Sequence, residues 1–159
     1  METREVYFCD FPPAKGFGDK VHPDVVRADY PVILDLPAPT LRMYPPETVV
    51  AEKVEALTHL GSLNSRMKDF YDVWRLSQQF DFDPEILGEA IRQTPKNRNT
   101  QPVPLHELKA DLLENGTFEK QWHAFLAKSG VSGPASFREA LDQIAIFLGP
   151  LFERITHPQ

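Results

Sequence analysis

Two stretches of helical hydrophobic periodicity, both within residues 44–80, dominate the polar and apolar pattern of the chain. At about 100° per residue, the first stretch places its apolar side chains on one helix face, and Lys53 falls inside that face. Pro45-Pro46 predicts the start of this helix, and Gly61 predicts its end with a left-handed cap. The predicted apolar face consists of Val49, Val50, Val54, Leu57 and Leu60.

The second stretch predicts another amphipathic helix, with Asn64 or Ser65 as its N-cap. Asp69 and Arg66 both fall on its apolar arc, and Asp72 lies just off the edge, one turn after Asp69. The arc itself consists of Met67, Phe70, Tyr71, Val73, Trp74, Leu76 and Phe80.

The two helices therefore each carry charge on the side that should be buried. Isolated charges are costly to bury, so a cluster of Lys53 with two aspartates and an arginine indicates either a structural ion-pair network or a polar functional site. The spacing alone favours neither interpretation. Glu52 and Glu55 point away from the predicted apolar face, and we expect both to be solvated.

Shorter apolar runs precede these helices, and further helical patterns follow them. The strand-like runs are Val6–Cys9, Val25-Val26, Val32–Leu34 and Leu41–Tyr44, and the later helices begin at Asp83-Pro84 and near Leu105, Phe118 and Phe137. We predict an α+β, mainly α fold, in which short N-terminal strands are followed by a bundle of about six helices. One compact domain would contain a loop-rich segment, 1–44, and a helical region, 45–159, with a polar loop at 94–104.

Composition narrows the classes of protein that fit. A length of 159 residues with 42% hydrophobic residues is typical of one globular domain. The formal charge of −6 disfavours broad non-specific binding to nucleic acid. No apolar run is long enough to cross a bilayer, and one cysteine, Cys9, fits a reducing compartment. We therefore expect a cytoplasmic protein that does not bind membranes.

Most catalytic motifs are missing from the sequence. There is no glycine-rich phosphate loop, no serine in a nucleophile elbow and no histidine or cysteine pair at metal-ligand spacing, so no metal ligand is assigned. Trp122 and Phe125 fall on apolar helix faces and are expected in the core. The lysine–aspartate cluster remains, and it suits phosphoryl or nucleotidyl chemistry, because an ammonium neutralises phosphate oxygens while carboxylates hold a metal or orient a hydroxyl.

The residues of this cluster carry a resemblance to a known family. Ala51-Glu52-Lys53 and, after it, the segment 66–72 (RMKDFYD) resemble the AEK and R-x-K/R-D-x-x-D helices of the AbiEii/AbiGii nucleotidyltransferase toxins. Gly16–Asp19 (GFGD) is similar to a segment that precedes those helices, and the resemblance covers Gly16 to Leu126. It implies a nucleotidyltransferase sheet followed by helices. It also implies transfer of nucleotides from an NTP with Mg²⁺, by the toxin half of a toxin–antitoxin or phage-defence pair.

The resemblance also implies roles for individual residues and partners. Lys53 would contact the triphosphate, and Asp72, with Asp69 beside it, would position the acceptor or the nucleotide. The remaining implied residues are Arg66 and Lys68, which would assist in binding phosphate, and Asp19 as an additional site residue. The implied partners are an antitoxin protein and tRNA or another acceptor. An open edge of the short sheet would favour a homodimer.

One departure from the family pattern bears on activity. Family members carry a GS turn followed by a D-x-D/E metal-binding pair, and residues 1–15 contain neither. We therefore expect a truncated form, equivalent to the C-terminal portion of such an enzyme and incomplete for catalysis. Two alternatives stay open: a non-catalytic helical interaction module with an acidic surface, and an inactive remnant. For the remnant, Lys53→Met would be neutral or stabilising, provided that the acids stay solvated.

Overall fold

The computed structural model describes residues 23–24, 26–29, 40–61, 66–98, 105–114 and 116–156. Within these residues the chain forms two short strands followed by six helices, which confirms the predicted mainly α fold. The elements are β1 (Val26–Asp29), β2 (Thr40–Met43), α1 (Pro46–Leu60), α2 (Met67–Gln79), α3 (Pro84–Arg98), α4 (Leu105–Glu114), α5 (Thr117–Ser129) and α6 (Phe137–Thr156).

The two strands form an antiparallel pair. Val26 lies opposite Met43, and Asp29 lies opposite Thr40. These strands include part of the predicted runs at 25–26 and 41–44. The other strand-like runs, at 6–9 and 32–34, lie outside the described residues.

Local sequence signals set the ends of α1. Pro46 occupies the first helical turn, where its missing N–H costs no hydrogen bond. At the other end Gly61, with φ of 49°, donates its backbone N–H to the carbonyl of Leu57. The positions of both ends agree with the prediction, but Gly61, with ψ of −130°, does not adopt the predicted left-handed cap. α2 begins at Met67 after Arg66, and the predicted caps Asn64 and Ser65 lie outside the described residues.

The buried face of α1 differs from the predicted one. α1 packs against α3 as well as α2, so side chains on the α3 side are also buried. Glu47 and Glu55 are only 1% and 4% exposed, whereas Leu60 is 38% exposed. The expectation that Glu55 is solvated is therefore wrong, because the periodicity of one helix does not report how many neighbours it has. The hydroxyl of buried Thr58 donates to the carbonyl of Glu55 at 3.1 Å.

Asp83 starts α3 as the sequence predicts. Its Oδ1 accepts the backbone N–H of Glu85 at 2.8 Å and that of Ile86 at 3.2 Å. The helix continues to Arg98, so the predicted loop at 94–104 begins later than expected. The predicted boundary rested on polarity and proline, which disfavour a helix locally without excluding one.

Asp83→Ala is expected to lower the free energy of unfolding by about 1 kcal/mol, because two N–H groups of α3 lose their acceptor. Chemical denaturation monitored by circular dichroism measures the change. Asp81→Ala is the matched control, since Asp81 is an exposed acid two residues earlier and should change stability by less than about 0.5 kcal/mol. Equal effects of the two substitutions would contradict the capping role of Asp83.

The C-terminal helix α6 contacts four other helices, α2 to α5, and forms much of the core with them. Phe137, at its start, makes an edge contact with Phe70 of α2 at 5.1 Å between ring centroids and stacks on Phe118 of α5 at 5.6 Å. Trp122 is fully buried beside them, and Phe125 packs against the core, as predicted. Among the described residues, no helix is both long enough and apolar enough to cross a membrane.

Candidate functional site

The packing of α1 against α2 brings Lys53 into contact with two carboxylates. Lys53 Nζ lies 3.0 Å from Asp69 Oδ1 and 2.7 Å from Asp72 Oδ2. The two aspartates are three residues apart on α2, so both face α1 from the same side. The convergence of the lysine and the two aspartates that the sequence predicts is therefore present in the fold.

Two further cations contact the same carboxylates. Arg66 Nε lies 3.3 Å from Asp69 Oδ2, and Lys68 Nζ lies 2.8 Å from Asp72 Oδ2. These contacts join residues three and four apart on one helix, the spacing at which side chains of a helix meet. We call the set Lys53, Arg66, Lys68, Asp69 and Asp72 the charge cluster.

Burial divides the charge cluster into an inner and an outer part. The inner side chains are 16% exposed for Lys53, 4% for Asp69 and 7% for Asp72. The outer side chains are 69% exposed for Arg66 and 54% for Lys68. Three cations face two carboxylates, so the formal charge of the cluster is +1. Asp69 also lies in the first turn of α2, where the helix dipole favours a negative charge.

Asp19 and the GFGD segment lie outside the described residues. His59 and His123 are exposed, and His123 Nε2 lies 3.1 Å from Glu119 Oε1 on the same helix. Among the described residues, no group of three or more histidine, cysteine, aspartate or glutamate side chains is arranged to hold a metal ion.

The sequence pattern did not predict the burial of two acids on α1. Glu47 and Glu55 are almost fully buried, yet helical periodicity assigned Glu55 to solvent and gave no indication for Glu47. Neither carboxylate belongs to the charge cluster.

Comparison with family models places this helical chain, with its lysine–carboxylate cluster, in the class of nucleotidyltransferase toxins. The matching model is described as the nucleotidyl transferase AbiEii toxin of a type IV toxin–antitoxin system, and it covers residues 16–143. This range is 128 of 159 residues and includes α1 and α2, so the chain belongs to the AbiEii family. Membership implies an antitoxin partner. Comparisons with curated proteins and with solved structures find no match.

Proposed function

We propose that the charge cluster binds the triphosphate of an NTP and that the chain takes part in nucleotide transfer to an acceptor such as tRNA. The observation that supports this most directly is the position of Lys53, held between Asp69 and Asp72 with two exposed cations beside them. The family match supports the type of reaction. Neither the acceptor nor the roles of individual residues follow from that match.

Lys53 is assigned the triphosphate contact. An ammonium group is a compact positive charge that carries three donors, the features with which lysine binds phosphate oxygens. The contacts at 3.0 Å and 2.7 Å fix the position of the ammonium, and its side chain keeps 16% exposure through which phosphate can reach it. Fixed positive charge of this kind stabilises the negative charge that develops during phosphoryl transfer without reorganisation.

Arg66 and Lys68 are assigned to assist in binding phosphate. Both are more than half exposed, so they can exchange a carboxylate oxygen for a phosphate oxygen at little cost in desolvation. Arginine also offers a planar set of donors that matches phosphate. Asp72, with Asp69 beside it, would orient the acceptor hydroxyl or the nucleotide, because a carboxylate accepts hydrogen bonds from hydroxyl groups.

Mg²⁺ accompanies NTP in nucleotidyltransferase chemistry, where it neutralises phosphate charge. The described carboxylates of this site do not fit as its ligands. Each aspartate is already paired with two cations, at N–O distances of 2.7 to 3.3 Å. Asp69 and Asp72 are therefore not assigned as metal ligands.

Any label transfer by the unmodified chain is expected to fall at least about 100-fold in Lys53→Ala, because a fixed charge at the triphosphate is lost. The assay combines the chain with α-labelled NTPs, Mg²⁺ or Mn²⁺ and bulk tRNA, followed by separation of the labelled RNA. Lys109→Ala is the matched control. Lys109 also pairs with an aspartate, at 2.6 Å, but this pair joins α4 to α6 and is not part of the charge cluster. This variant should transfer label as the unmodified chain does.

The double variant Arg66→Ala/Lys68→Ala tests the same site with exposed residues whose loss should not unfold the chain. It is expected to weaken NTP binding about tenfold or more in a fluorescent-nucleotide titration, since two charge-assisted contacts disappear. Absence of transfer with every metal, together with unchanged NTP affinity in both variants, would remove the enzyme proposal. The charge cluster would then be a structural network, as in the interaction-module and remnant alternatives.

A further inference from the structure

We infer that Lys53 is the resident counter-cation of Asp69 and Asp72, so that this carboxylate pair does not recruit a divalent metal and the cluster binds polyphosphate without one. The inference deepens the proposed function at the same site. Its polyphosphate part rests on that function, whereas its metal part rests on the geometry of the ion pairs alone.

The Lys53 ammonium occupies the space between the two carboxylates. Lys53 Nζ is 3.0 Å from Asp69 Oδ1 and 2.7 Å from Asp72 Oδ2, so it lies between the two oxygens that a bridging divalent ion would need. Mg²⁺ requires oxygens at about 2.0 to 2.1 Å in near-octahedral geometry. A metal would therefore have to displace the lysine from a site in which its side chain is largely buried.

Each carboxylate also contacts a second cation besides Lys53. Asp69 Oδ2 is buried and has no hydrogen-bond partner among the described residues, and Arg66 Nε lies 3.3 Å from it as an ion pair. Asp72 Oδ2 contacts Lys68 at 2.8 Å in addition to Lys53. Lys53 is the cation that contacts both aspartates, so a metal bridging them would have to displace its ammonium.

The charge cluster has a net positive charge. Its three cations and two carboxylates sum to +1, and a divalent ion in place of the Lys53 ammonium would raise that sum to +2 within a partly buried site. A polyphosphate lowers the sum instead, and its oxygens can replace the exposed carboxylate contacts of Arg66 and Lys68. The net positive charge of the cluster therefore favours binding of an anion and disfavours binding of a divalent cation.

Titration of the ¹⁵N-labelled, unmodified chain with Mn²⁺ tests the metal part. The amide signals of Asp69 and Asp72 are expected to keep their intensity at Mn²⁺ concentrations that broaden Asp81 and Asp83, two exposed acids that report non-specific association. In Lys53→Ala the Asp69 and Asp72 signals should broaden first. Selective broadening of Asp69 and Asp72 in the unmodified chain, before Asp81 and Asp83, would overturn the inference whether or not the variant folds.

Calorimetric titration with inorganic tripolyphosphate in the presence of EDTA tests the polyphosphate part. Binding is expected without any divalent ion, with an affinity that falls at least tenfold in Arg66→Ala/Lys68→Ala and is unchanged in Lys109→Ala. Binding that requires added Mg²⁺ would overturn it. Tripolyphosphate binding in EDTA without label transfer to RNA would contradict the catalytic proposal and leave this inference standing. Transfer combined with metal-dependent polyphosphate binding would do the reverse.

Discussion

Lys53→Met is expected to lower the free energy of unfolding by about 3 to 5 kcal/mol, because it leaves two buried carboxylates without their shared cation. The side chains of Asp69 and Asp72 are only 4% and 7% exposed. The sequence-based expectation that Lys53→Met is neutral or stabilising assumed that both aspartates are solvated. Because both are buried, that expectation no longer applies. Thermal unfolding should show a fall in Tm of roughly 6 to 20 °C for a chain of this size.

Lys109→Met provides the control for Lys53→Met. Its ion pair with Asp142 is more exposed, at 35% and 48% of the two side chains, so its loss should cost less than about 1 kcal/mol. The triple variant Lys53→Met/Asp69→Leu/Asp72→Leu should recover most of the lost stability, because apolar groups replace the entire buried set. A Lys53→Met chain as stable as the unmodified one would show that the aspartates are solvated, contrary to the structure.

Trp122→Ala is expected to cost about 3 to 5 kcal/mol, since it removes a fully buried side chain from the meeting point of three helices. The indole lies 6.3 Å from the ring of Tyr71 and 5.9 Å from that of Phe137, measured between centroids. Its Nε1 donates to the carbonyl of Pro134 at 3.0 Å, which ties the segment before α6 to α5. Urea unfolding measures the loss.

Two variants separate the contributions of the indole. Trp122→Phe keeps much of the apolar area but removes the donor to Pro134, so it should cost about 1 to 3 kcal/mol. His123→Ala changes the exposed neighbour on the same helix and should cost less than about 0.5 kcal/mol. If His123→Ala destabilised the chain as much as Trp122→Ala, the effect would come from the helix and not from the buried ring.

Tyr71 shows how the core supports the charge cluster. Its hydroxyl donates to the carbonyl of Ser132 at 3.2 Å and accepts from Arg75 at 3.1 Å, and the next residue along α2 is Asp72. The ring also packs against Gly133, where an added Cβ would lie 3.2 Å from the Tyr71 side chain. The segment between α5 and α6 therefore helps to hold the part of α2 that carries the carboxylates.

Helix boundaries were the features most accessible to prediction. Pro46 and Gly61 delimit α1, Asp83 caps α3 and Gly130, with φ of 62°, ends α5. These signals act on the backbone within a few residues, so a single sequence contains them. The predicted apolar arc of α2 was also largely correct, because most of its members are buried.

The buried face of α1 was the main failure of prediction. Periodicity locates the most apolar side of a helix, but α1 has neighbours on two sides, α2 and α3. Glu47, Glu55 and Thr58 are buried, although local patterning assigns them to no apolar face. The number and placement of packing partners is a property of the whole fold, and a helical wheel does not contain it.

The sequence predicted which residues belong to the candidate site, and the structure shows how they are arranged. The residue types and their order on two helices, together with the AEK and RMKDFYD segments, pointed to the charge cluster and to the AbiEii family, which the family match confirms. The catalytic and phosphate-binding roles of Lys53, Asp69, Asp72, Arg66 and Lys68 remain predictions, and the experiments above test them.

The sequence by itself determined both ends of α1, the start of α3, the inner positions of Lys53 and Asp69, and the family. Only the tertiary structure decided that Lys53 contacts both aspartates, across 16 residues of chain in the case of Asp69, and that both acids are buried. The physical reason is one of range. Capping and periodicity depend on neighbours within a turn or two, whereas an ion pair between helices exists only after their packing fixes both side chains in the same place.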